Sequence, residues 1–166
     1  DAIAPRSYAE AYMMLTPPIP PGAAWQDTAY SLRAPSDAAL DELVATALER
    51  PTPMCLINIH QFHGAAARVE PSATAFALRE EHFAVVNIGM WMQGDGEAER
   101  LWARQSQERM APHASGGVYV NFLGDEGENA IRASYRANYE RLAKIKAFYD
   151  PDNIFRRNQN IRPEGR

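Results

Sequence analysis

His60 and His63 stand three residues apart, and imidazole is the side chain best suited to moving a proton near neutral pH. On an extended chain that spacing sends the two rings to opposite faces, which is poor geometry for one metal ion, so each is read as a pocket or structural histidine. Tyr119 and Asn121 are two apart and would share a face of a strand. A phenol beside a carboxamide suits a polar pocket floor, or equally the solvated side of an edge strand. Gly116 and Gly117 precede the pair, where a missing side chain lets a ligand or another stretch of backbone come close. Asn158, Gln159 and Asn160 run consecutively near the C-terminus, as amides for a ligand with several donors and acceptors or as an exposed end. The chain has no Gly-x-Gly-x-x-Gly, no phosphate-cradling glycine loop, no Cys-x-x-Cys and no His-Glu-x-x-His. No metal site is expected.

The elements that must carry these residues follow from hydrophobic period and punctuation. A short helix fits 8–15, with Ser7 as its cap. Pro17, Pro18, Pro20 and Pro21 then exclude helix or central strand from 16–22. Leu40, Leu43, Val44, Ala47 and Leu48 have helical spacing after a Ser36 or Asp37 cap, and Pro51 ends that helix. Residues 54–62 read as a strand with 65–69 as its hairpin partner, and 83–92 as a second strong strand. In the latter, Ala84, Val86, Ile88, Met90 and Met92 form the expected core face, and Phe83, Val85, Asn87, Gly89 and Trp91 a mixed one. Ala98, Leu101, Trp102 and Gln105 mark a helix reaching Met110. Residues 118–123 read as a third strand. Ile131, Tyr135, Tyr139, Leu142, Ile145 and Tyr149 mark one long helix stopped by Asp150-Pro151. The expected class is α+β, an antiparallel sheet covered by helices.

Composition narrows the function classes. Of 166 residues, 46% are hydrophobic and 23% charged, enough for one packed core without a disulfide scaffold. The single cysteine, Cys55, lies in an apolar run and reads as a small buried hydrophobe. The net charge is -4, and two lysines and fifteen arginines form no concentrated basic stripe, which argues against a nucleic-acid partner. No apolar run approaches the ~20 residues of a membrane span, so a soluble, cytoplasmic chain is expected with no membrane partner. The chain opens at Asp1 rather than at methionine, which raises the expectation of a piece of a longer polypeptide.

Ordered motifs in the second half add a family. Gly116-Gly117-Val118-Tyr119-Val120-Asn121-Phe122, Asn138-Tyr139-Glu140-Arg141-Leu142, Lys146-Ala147-Phe148-Tyr149-Asp150-Pro151-Asp152-Asn153-Ile154-Phe155-Arg156 and Asn158-Gln159-Asn160-Ile161-Arg162-Pro163 occur in that order. Upstream lie Gly64-Ala65 and Thr74-Ala75-Phe76-Ala77-Leu78-Arg79. Together they resemble the C-terminal portion of berberine bridge enzyme-like FAD-linked oxidases. The resemblance implies a substrate-binding lobe over 1–150 and a tail, 151–166, returning to an FAD-binding lobe outside this chain. It implies FAD as cofactor, held mainly by that lobe, with a small-molecule substrate and the flavin lobe as partners; the isolated lobe would be prone to self-association and inactive.

By the same resemblance Tyr119 is the catalytic candidate. His60, His63, Asn121 and Phe122 are the substrate-binding set, and Asn158, Gln159 and Asn160 lie near the cofactor. Many relatives carry a tyrosine base where this chain has Phe122, and a phenyl ring cannot take a proton, so the base is Tyr119, a histidine such as His60 or His63, or a residue of the flavin lobe. Leu78 replaces a common histidine, and Arg136 stands where glycine is common, a change expected to leave function unaffected. The reaction implied is oxidation of an alcohol, sugar or similar small molecule by hydride transfer to flavin. The alternative class is a stand-alone, non-catalytic small-molecule binding or interaction module on the same scaffold.

Overall fold

The computed structural model describes residues 4–15, 19–124, 127–157 and 159–165. Asn158 and 16–18, the first part of the proline-rich stretch, lie outside the described residues. Helix α1 (Tyr8–Leu15) starts as expected: Ser7 Oγ accepts from Glu10 N, and the Glu10 carboxylate accepts from Ser7 N at 2.8 Å, a reciprocal cap for two otherwise orphaned donors. Three strands, β1 (Ala24–Leu32), β2 (Leu56–Phe62) and β3 (His82–Trp91), form one antiparallel sheet in the order β1-β3-β2. Helices α2 (Asp37–Leu48) and α3 (Glu97–Met110) cover one face. Ser36 caps α2 through Ala39 N. The α+β class stands.

Register separates the two faces, because residues directly opposite in an antiparallel pair point the same way. Tyr30 lies opposite Val85, and Val85 opposite Ile59. Tyr30, Leu32 and Val85 pack with Ala39 and Leu43 of α2 and Met110 of α3, and Phe83 and Ile57 support them. The helix-packed side of β3 is therefore the one that reads as mixed in sequence. Asn87 is accommodated there because its Nδ2 donates to Thr28 Oγ1, whose hydroxyl donates to the Ala103 carbonyl at 2.8 Å. Trp102 ties the two helices together through Nε1 to the Thr46 carbonyl at 2.9 Å. Cys55 is fully buried against Trp102 and Ala103, as its apolar setting predicts.

Four local expectations are corrected. Strand β1 has no counterpart in the sequence reading, because Gln26, Asp27, Thr28 and Ser31 fall on both of its faces and blur the alternation. Residues 65–69 form no hairpin strand: 66–68 close a 3-10 turn after Gly64 at φ +64°, and Arg79 Nη1 holds the Ala66 carbonyl at 3.1 Å. Residues 118–123 are not a third strand; Val120–Phe122 is a 3-10 turn. Gly117, at φ +72°, lies so near the Ala133 carbonyl that a Cβ would come within 2.9 Å, and Val118 N donates to Ser134 Oγ at 3.1 Å. Backbone, not a ligand, uses the space that Gly117 leaves.

The long terminal helix is two helices, α4 (Glu128–Tyr135) and α5 (Asn138–Tyr149). The break falls at Arg136, at φ 50° and ψ -134°, a region in which only glycine is comfortable. Two hydrogen bonds of 2.7 Å from Arg136 to the Glu80 carboxylate hold the bend. That ion pair holds the Glu80 carboxyl below its usual range, chiefly through the hydrogen bond. Arg136 thus has a structural role that its replacement of glycine did not suggest. Next to it, Asn138 Nδ2 donates to the Pro71 and Thr74 carbonyls, tying α5 to the loop before β3.

Candidate functional site

The sheet face away from α2 and α3 carries the candidate residues. His60 lies opposite Ala84, and Phe62 opposite His82. Segment 119–122 crosses their rings. Tyr119 meets Phe62 and Phe76 edge to face with centroids 5.8 and 5.5 Å away, and Phe122 meets Tyr119 at 5.2 Å and His60 at 5.1 Å. Phe62 also stacks on His82 at 4.8 Å. Each such ring pair contributes about 0.5–1.5 kcal/mol beyond the area it buries. Arg79 fixes Phe76: its guanidinium lies 4.7 Å over that ring and bonds to the Phe76 and Ala66 carbonyls and to Thr74 Oγ1. An aromatic pad thereby holds Tyr119 although no strand does.

Asn121 and Tyr119 are together, as the sequence implies, but for a different reason. The 3-10 turn, not a pleat, puts Asn121 Nδ2 2.7 Å from the Tyr119 hydroxyl oxygen. An amide donor on that oxygen is what a phenol needs if it is to carry negative charge during proton transfer. His63 lies one residue beyond β2, is exposed, and makes none of the ring contacts of the pad. Gln159 Nε2 donates to the carbonyls of Leu123, at 2.6 Å, and Gly124. Ile161 packs with Leu123 against Ile131 and Tyr139, and Glu164 N bonds to the Ala143 carbonyl. The end of the tail therefore braces the far side of the site segment. Asn160 is half-buried, and its Oδ1 has no partner among the described residues.

A cleft of about 580 Å³ opens beside this pad, at the outer edge of β1. Trp25, Asp27, Arg104, Gln107, Asn121 and Phe122 are among its walls. Burial pushes the Asp27 carboxyl up from its usual value, and its Oδ1 is buried without a hydrogen-bond partner. Gln107 Nε2 caps the neighbouring Ala29 carbonyl at 3.3 Å. Sequence reasoning missed Asp27, Trp25 and Gln107 as site residues. The available signal was an acid inside a β-like stretch containing tryptophan, tyrosine and threonine, which is expensive to bury without a use.

Residues 118–162 match the family described as berberine and berberine like. The chain resembles part of a berberine bridge enzyme-like FAD-linked oxidase. The matched stretch holds Tyr119, Asn121, Phe122, Gln159 and Asn160. The uncharacterized FAD-linked oxidoreductase YgaK of Bacillus subtilis is 36% identical over 101 residues, which is 60% of this chain and 22% of that protein. The chain thus spans about a fifth of the length of that curated relative. Berberine bridge enzyme from Eschscholzia californica has the same fold over 87% of this chain and 34% of its own, with a TM-score of 0.72 at 23% identity. A glycopeptide hexose oxidase solved with teicoplanin aligns over 86% of this chain and 33% of its own, with a TM-score of 0.69 at 24% identity.

The Bacillus subtilis relatives YgaK and YvdP are FAD-linked oxidoreductases by name. The residues present fit one side of a flavin site. The helix-free face offers aromatic rings, the Tyr119–Asn121 pair, and one buried acceptor without a partner, Asp27 Oδ1. They offer no glycine-rich loop for a diphosphate. Among the described residues no group of three or more His, Cys, Asp or Glu could hold a metal ion, and no helix is long and apolar enough to cross a membrane.

Proposed function

We propose that this chain is the substrate-facing lobe of an FAD-dependent oxidoreductase, acting on an alcohol, a sugar or a similar small organic molecule. The observation that carries the reading is the Tyr119–Asn121 hydrogen bond on an aromatic pad, inside the segment that matches the berberine-like family. Bound flavin supplies the hydride acceptor. The chain's own residues do the rest. Phe122 and Phe62, with the His60 ring against Phe122, form an aromatic wall that orients a ring. Tyr119, as its phenolate, takes the hydroxyl proton of the substrate as hydride leaves the same carbon, and the Asn121 amide supports the phenolate charge until that proton arrives. FAD is held chiefly by a further lobe, to which exposed apolar residues of α5 and the tail dock.

The test is to express the uninterrupted reading frame that contains these residues and to record its visible spectrum. A yellow flavoprotein whose colour is bleached anaerobically by an alcohol or aldose is expected. A colourless protein, or a frame without a flavin-binding segment, overturns the reading. For residues 1–166 alone, an absorbance titration should show weak FAD binding or none.

A further inference from the structure

Tyr119 precedes a 3-10 turn and has no strand partner, so the place of its hydroxyl depends on the rings it leans on. One of them is Phe76, met edge to face at an interplanar angle of 87°. Phe76 ends a loop, 71–76, that contains no helix or strand. Side chains from outside the loop fasten it. The bend at Arg136 brings Asn138, the first residue of α5, against it: Asn138 Nδ2 lies 2.7 Å from the Pro71 carbonyl oxygen, 3.1 Å from that of Thr74 and 3.5 Å from that of Ala75. Arg141, one turn further along α5, donates to the Ser72 carbonyl at 3.0 Å. From the residues leading into β3, Arg79 donates to Thr74 Oγ1 at 2.6 Å and to the carbonyl of Phe76 itself, while its guanidinium covers the Phe76 ring. None of these acceptors is a carboxylate. A planar cation and an amide only 7% exposed are thus spent on neutral oxygens of one loop, and what they fix is geometry.

We propose that Asn138 and Arg79 are positioning residues for Tyr119: by fastening 71–76 they hold the Phe76 ring against the phenol and so set where its hydroxyl meets the substrate. The route runs from the helix junction through the loop to the ring, and neither residue touches Tyr119 itself. The inference rests on the reading of Tyr119 as the group that handles the proton, and it adds the residues that make that group effective.

The test is a double-mutant cycle in the flavoprotein, read by stopped-flow flavin reduction. Arg79→Lys keeps the charge and loses the planar fork. It should lower the limiting rate about tenfold, the effect of a phenol displaced by a fraction of an ångström, and change the half-saturating substrate concentration less than about twofold. In the Tyr119→Phe background the same change should cost less than about twofold, because its route is the hydroxyl. Asn138→Ala should behave alike; if it does not fold, Arg79→Lys, at a half-buried position, carries the test. Losses of equal size in both backgrounds, or none in either, overturn the inference. A second readout needs no flavin: ring resonances of isotope-labelled tyrosine in residues 1–166. Arg79→Lys should move the Tyr119 signal, identified by its loss in Tyr119→Phe, and leave in place that of Tyr30, which packs under α2 and α3. An unmoved Tyr119 signal overturns the inference, whereas a colourless protein with a moved signal overturns the flavin reading alone.

Discussion

At the scale of single residues, Tyr119 and Asp27 divide the site between them. Tyr119 is held by rings on two sides, so removal of its hydroxyl leaves the packing in place. Tyr119→Phe in the flavoprotein should therefore slow flavin reduction by about two orders of magnitude or more in stopped-flow experiments, while the melting temperature hardly moves. Unchanged reduction would take Tyr119 off the proton path. Asp27 predicts the reverse pattern. Its carboxyl is raised by burial, so the native state binds a proton that the unfolded state has already released, and stability falls as pH rises through that window. Asp27→Asn should then melt about 1–3 °C higher at pH 7, an advantage that shrinks as pH drops below the ordinary carboxylate range. A calorimetric series across pH 3–7 reads it directly.

At the scale of elements, the break between α4 and α5 sets where the site segment can lie. The apolar spacing is continuous from Ile131 to Tyr149 because the 136–137 interruption happens to conserve it, so periodicity could not reveal the bend. Arg136 is strained in its backbone and compensated by Glu80. Arg136→Ala keeps the strain and loses the pair; Arg136→Gly loses the pair and relieves the strain. Urea denaturation should place the glycine variant about 1 kcal/mol above the alanine variant. If alanine is the more stable of the two, φ +50° is not a strained conformation here. Gly117 acts on the other side of the same junction, letting the 118–122 segment pass against the Ala133 carbonyl.

At the scale of the whole molecule, four of the exposed large apolar residues sit together at the end of α5 and in the loop that follows it. Phe148 is 78% exposed, Tyr149 79%, Ile154 72% and Phe155 81%, all within one turn-linked stretch. The fold spends bonds to display them. Asp150 accepts from Ile154 N and Phe155 N and pairs with Lys146, which also donates to the Phe155 carbonyl at 2.6 Å. Lys146, and after it those backbone bonds, holds the Asp150 carboxyl below its usual range. A helix end and a hydrogen-bonded loop that together present four large apolar side chains form the kind of surface that the proposed flavin lobe would cover. Residues 1–166 alone should show concentration-dependent association in sedimentation velocity, and Phe148→Ser with Phe155→Ser should abolish it. A chain that stays monomeric at high concentration would show that this surface needs no cover.

The sequence alone determined α2, β2, β3, α3 and the Ser7 and Ser36 caps, because their signals are local: a periodic apolar face, a capping side chain, a proline or glycine stop. It also carried the ordered motifs behind the likeness to berberine-like oxidases, whereas the Tyr119–Asn121 contact, expected on a strand, is made by a 3-10 turn. Tertiary structure decided the rest. Strand β1 exists because β3 offers it a register, and residues 118–123 bend into a 3-10 turn because the Ala133 backbone and an aromatic pad claim the space that a strand would need. His60 joined that pad and His63 did not. Asp27 became a buried acceptor only when β1, α3 and the site segment closed around it. Its surroundings include residues far away in the chain, Ile88 opposite it on β3 and Arg104 and Gln107 of α3, which no local pattern can encode.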